Sequence, residues 1–136
     1  MRAYGRRTQV LTAQEISEAK TRIRYGNREV LHEHDDCIRI AYEWLDAQTK
    51  IKGLMRQTLP IKHIIEKWGG RYVSQSDVEV AAELHPDVRG TYPHFNIGSR
   101  LILPSDARLV NIPEAKTQDY KMTERQIAHT YGSRRE

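Results

Sequence analysis

Apolar residues in this 136-residue chain recur every three or four positions, in short runs that Pro, Gly or a polar cap cuts off. Such spacing lines one side of a helix, whereas a half-buried strand alternates strictly. The pattern therefore points to several short helices packed on one another. Its strongest run is residues 36–49, where Cys37, Ile38, Ile40, Ala41, Trp44, Leu45 and Gln48 fall in one broad arc. Arg39, Glu43 and Asp46 fill the opposite side. Trp44 and Leu45 belong at the centre of the core, and Cys37 on the same buried arc is expected to be inert. Asp35 is placed to cap this helix, and Asp36 to complement its positive start.

Two further helices announce themselves by capping boxes, in which a Ser or Thr hydroxyl and a side chain three residues on each bond the other's backbone N–H. Thr12 with Glu15 opens a helix over 13–25, closed by Gly26-Asn27, and Thr123 with Gln126 opens one over 124–131, stopped by Gly132. Between them, residues 58–112 read as an ordered set of parts. The first is a helix over 60–68 with Ile61, Ile64, Ile65 and Trp68 on one stripe. Pro60 suits its first position, Thr58 is close enough to cap, and Gly69-Gly70 ends it. The second covers 75–84, opened by Ser74 and Asp77 and ended by Pro86. The third is expected over 93–101, with Phe95, Ile97, Leu101 and Ile102 on one side and Asn96, Ser99 and Arg100 on the other. Gly98 within it costs about 1 kcal/mol relative to Ala. Residues 101–103 can pair with 108–112 as a small hairpin or wing, which leaves Arg108 near a bound backbone.

The order of these parts resembles a helix-turn-helix domain with a reduced wing. The expected fold is mainly α: a small multi-helix bundle with a central three-helix unit and a short β-hairpin. Its 136 residues are read as a single domain, with a basic arm (1–11), the helix-turn-helix-like unit (58–112) and a C-terminal extension (113–136). A chain of this length buries a core without disulfides or structural metal. A lone Cys excludes an internal disulfide and a Cys-based zinc site, which fits a reducing cytoplasm. No apolar run reaches the ~18 residues a membrane span needs, and no signal-peptide pattern is read at the start of the sequence.

The resemblance implies a small DNA-binding protein, a regulator or an accessory factor of a mobile element, and it is compatible with a homodimer. Double-stranded DNA would be read by the helix near 93–101. There Arg100 suits guanine, Asn96 suits adenine, and Ser99 suits a base edge or a phosphate. The net charge of +4 is unevenly spread. Residues 1–28 hold seven Lys or Arg against two Glu, while residues 29–53 hold three against six acids. Arg6, Arg7, Arg22, Arg24 and Arg108 are accordingly candidate phosphate contacts. An alternative is a helical protein–protein interaction module or an inhibitor of a larger complex, docking through Tyr92, His94 and Tyr131.

An enzyme is the least favoured class. His32, His34 and Asp36 lie in the run His-Glu-His-Asp-Asp-Cys and could ligate a metal. Their spacing, however, does not put them on one helix face. Neither a cofactor nor a catalytic residue is assigned, and no phosphate-binding loop, Gly-x-Ser-x-Gly or His-Glu-x-x-His motif is found.

Overall fold

The computed structural model describes residues 9–136; the expected contacts of Arg6 and Arg7 lie outside them. Five α-helices are present among the described residues: α1 Ala13–Arg22, α2 Asp35–Ala47, α3 Ile61–Gly69, α4 Gln75–Leu84 and α5 Glu124–Tyr131. A two-stranded antiparallel sheet, β1 Gly90–Thr91 and β2 His94–Phe95, follows α4. One 3-10 turn covers Asp106–Leu109. The fold is thus mainly helical with a minimal sheet.

Its centre is α2 packed on α4, with α1 along α4 and α3 beside α2. Trp44, Leu45, Ile38 and Ile40 of α2 are fully buried, as are Ile61 and Ile65 of α3 and Val78, Val80 and Ala81 of α4. Small residues set the closeness. A Cβ at Gly69 would lie 2.5 Å from Ile40 Cγ2, so the α3 terminus approaches α2 as only Gly allows. Capping boxes are formed at Thr12/Glu15, Ser74/Asp77 and Thr123/Gln126. Two caps differ from expectation. His34, not Asp35, caps α2, its Nδ1 accepting from Asp36 N–H at 2.9 Å. Helix α3 has no cap from Thr58; instead the Tyr92 hydroxyl accepts from Lys62 N–H at 3.0 Å, across thirty residues of sequence.

The expected helix over 93–101 does not form. Gly90 pairs with Phe95 and Thr91 with His94, around a turn holding a cis Tyr92-Pro93 bond. Gly90 has φ +105°, and a Cβ there would run into the His94 carbonyl, so this hairpin needs Gly at that position. Beyond β2 the chain stays extended against the segment after α2. Ile51 N–H bonds Asn96 O at 2.9 Å, Gly98 N–H bonds Thr49 O at 2.9 Å, and Lys50 bridges Ile97. The hairpin is therefore at 90–95 rather than between 101–103 and 108–112. Leu103 instead pairs in parallel with Arg135, and residues 106–109 coil into the 3-10 turn.

Candidate nucleic-acid interface

Helix α5 is held to the body at its end. Tyr131 is fully buried and its hydroxyl accepts from Trp44 Nε1 at 3.0 Å. The segment after β2 is held by Gln48, whose amide acts like a piece of strand. Gln48 Nε2 donates to Ile102 O at 2.9 Å, and Ile102 N–H donates to Gln48 Oε1 at 2.9 Å. Trp68 Nε1 on α3 donates to Pro104 O at 3.2 Å. These three anchors leave a groove of about 700 Å³ between α3, residues 99–101 and α5.

The groove has an apolar floor of Leu59, Pro60, Ile64, Leu101 and Met122. Above it stand His63 and Lys67 of α3, Ser99 and Arg100, then Arg125 and His129 of α5, and Arg134. Among the described residues no Asp or Glu lines it. A second depression adjoins it through Ser99, Arg100 and Arg134 and adds Arg135, again without a carboxylate. Arg134 Nε donates to Leu101 O at 3.0 Å. Lys67, Arg100 and Arg125 have no hydrogen-bond or ion-pair partner among the described residues. On the other flank Lys67 and Met122 also line a depression that holds Asp106 and Asp119, and His63 Nδ1 lies 3.1 Å from Glu66 Oε1. The cation excess is therefore greatest at Arg100, Arg125 and Arg134, where it raises the local potential and favours an anionic ligand.

The residues nominated from sequence are scattered. Ser99 and Arg100 are exposed and belong to the groove. Asn96 is only 3% exposed; its Oδ1 accepts from Arg89 N–H at 2.6 Å and its Nδ2 donates to Asp87 O at 2.9 Å. It closes the loop before β1, which removes it from any base-reading face. Arg22 pairs with Glu83 at 2.9 Å, and Arg24 lines a separate depression beside Glu79 and Glu83.

Arg108 is buried in an ion network, not laid near a backbone. Its Nη1 donates to Glu43 Oε1 and Asp46 Oδ2, both at 2.9 Å, and its Nε donates to Glu136 Oε1 at 2.7 Å. His85 completes the set. Its Nδ1 accepts from Asp87 N–H at 3.1 Å, so Nε2 carries the proton donated to Asp46 Oδ1 at 2.7 Å. Burial opposes the Asp46 charge, but the hydrogen bonds from His85 and Arg108 outweigh it and hold that carboxyl well below its usual range. Burial likewise opposes the Arg108 charge, yet Glu136 and Asp46 hold its guanidinium further up.

The candidate metal ligands are committed elsewhere. His32 Nδ1 meets Asp77 Oδ1 at 2.7 Å and its Nε2 meets the Tyr25 hydroxyl at 2.9 Å. Asp36 Oδ1 accepts from Arg39 at 2.7 Å, and Oδ2 from Glu114 N–H at 3.1 Å. Among the described residues no cluster of three or more His, Cys, Asp or Glu is arranged to hold a metal. Cys37 is buried, and that burial pushes its thiol up to about 12.

Sequence reasoning missed Lys67, Arg125, Arg134 and Arg135. His63 with Lys67 and Arg125 with His129 are each four apart, which signals a shared helix face. Nothing local signals that those two faces flank one groove. No protein-family model matches this chain, and no curated protein and no solved structure matches it.

Proposed function

We propose that this protein binds double-stranded DNA through its phosphate backbone, in the basic groove between α3 and α5. The observation that carries the reading is a groove lined by Lys67, Arg100, Arg125 and Arg134 with no carboxylate in its walls. Phosphate neutralisation supplies most sequence-independent affinity for DNA, and it needs cations free to leave water for the backbone. Lys67, Arg100 and Arg125 meet that condition among the described residues. A reading helix at 93–101 forms no part of this proposal. In it the helix-turn-helix likeness shifts one helix upstream, to α2, α3 and α4 followed by the β1–β2 hairpin. Helix α4 then stands in the reading position, but it presents Glu79 and Glu83 and is covered by α1 and the chain after it. That leaves backbone contact rather than base reading as the mode of binding.

A labelled duplex titrated at about 50 mM salt, followed by fluorescence anisotropy, tests this. Arg125→Glu, at an exposed α5 position, should weaken binding about tenfold or more. Arg22→Glu, outside the groove, should change it far less. Equal losses, or no binding by the unaltered chain, would refute the site. A second reading is favoured by the apolar floor: an acidic, amphipathic segment of a protein partner could lie in the same groove. A partner that co-purifies in stoichiometric amount after nuclease treatment, and is lost in Ile64→Glu, would favour that reading instead.

A further inference from the structure

On the far side of α4 lies a smaller pocket of about 290 Å³, which shares no lining residue with the basic groove. It sits between Ile23-Arg24 at the exit of α1, the outer face of α4 and the β1–β2 hairpin. Glu79 lines it and is only 8% exposed. One of its oxygens, Oε2, accepts from Gly26 N–H at 2.9 Å. The other, Oε1, is shut off from solvent and has no hydrogen-bond donor among the described residues. A carboxylate oxygen so placed is unfavourable until a donor reaches it, and a cationic donor offsets the penalty best.

The rest of the pocket suits the same chemistry. Tyr92 and Phe95 form one wall, their rings edge to face with centroids 6.0 Å apart. Phe95 is 1% exposed, so Tyr92 is the ring that a ligand meets. An aromatic ring beside a carboxylate suits an organic cation, whose alkyl part it also covers. The cations that line the pocket do not satisfy Glu79. Arg89 Nη2 donates to Lys52 O at 2.8 Å, and Arg22 is engaged by Glu83 from outside the lining. Arg24 stays exposed at the rim.

We propose that this pocket binds a small molecule with an alkyl ammonium or guanidinium group, whose cation donates to Glu79 Oε1. The ligand lies against Tyr92, beside the hairpin. This assignment is independent of the groove and stands whether or not DNA binds there.

The full chain, isotopically labelled, is titrated with agmatine and its amide resonances are followed, with sodium chloride of matched ionic strength as control. Saturable shifts at Gly26, Gly90 and Thr91 are expected. Glu79→Gln should lower the affinity about tenfold, since an amide loses the charge that strengthens the bond. No shift beyond the salt control, or shifts centred on α3 and α5, would overturn the proposal. So would a folded Glu79→Gln that titrates like the unaltered chain. Should that variant not fold, the location of the shifts in the unaltered chain decides alone.

Discussion

Replacing Arg108 with Met keeps most of the aliphatic length and removes the charge from a network that holds three carboxylates. The Arg108 side chain is 4% exposed, against 14% for Glu43, 13% for Asp46 and 27% for Glu136. Removing one partner of a buried ion pair costs roughly 3–5 kcal/mol, because the remaining charges stay desolvated and uncompensated. Glu136 is the most exposed of the three and can turn to water, which favours the lower end, about 3 kcal/mol. At a urea slope of about 2 kcal/mol per molar for a domain of this size, the midpoint should fall by ~1.5 M. The loss should also depend on acidity. Because the folded Asp46 carboxyl is held below its usual range, its contribution is present above the ordinary carboxylate value near 4. It fades as pH falls from there through the folded value. The gap between Arg108→Met and the unaltered chain should therefore be widest near neutrality and narrow as pH drops below about 4. A loss under about 1 kcal/mol at pH 7, or a gap that widens in acid, would refute the network argument.

Three other substitutions or probes follow from named contacts. Asn96→Ala, which strands Arg89 N–H and Asp87 O in a loop, should cost about 1–3 kcal/mol in urea unfolding. It should leave DNA affinity unchanged once folded, and a selective loss of binding would restore Asn96 to the interface. Tyr131→Phe leaves the buried Trp44 Nε1 without its acceptor and should cost about 1–3 kcal/mol. Hydrogen exchange should localise the loosening to α5; uniform exchange across the chain would contradict that anchoring role. Cys37, with its thiol raised to about 12, should react with an aromatic disulfide only as fast as the protein opens. Prompt reaction in native buffer would show the thiol to be accessible.

How far the fold was legible follows from which interactions are local. The capping boxes at Thr12, Ser74 and Thr123 and the arc around Trp44 are written within a few residues, and the helices they announce are present. The stretch after Pro93 misled because Phe95 and Ile97 fit two periods. They share a helix side with Leu101, yet they also stand two apart, as on a strand. Long-range pairing decides between them: Ile51 N–H with Asn96 O, Met55 N–H with Phe95 O and Gly98 N–H with Thr49 O give that backbone strand-like partners. Asn96 then turns inward to close a loop. Arg108 was misplaced for a similar reason. Its acidic partners lie 62 and 65 positions earlier and 28 later, a distance at which sequence pattern carries no signal. Half of the groove was visible, in Ser99 and Arg100. The other half depends on how α5 docks through Tyr131 onto Trp44, which no spacing rule reports.

The groove is tested most directly by the salt dependence of duplex binding. Each phosphate neutralised contributes a slope of about −0.9 to the plot of log affinity against log salt. Removing Lys67, Arg100 and Arg125 together should flatten that slope by roughly 2–3, with circular dichroism unchanged because all three side chains lack intramolecular partners among the described residues. A triple variant with the slope of the unaltered chain would place the phosphates elsewhere and contradict the proposal.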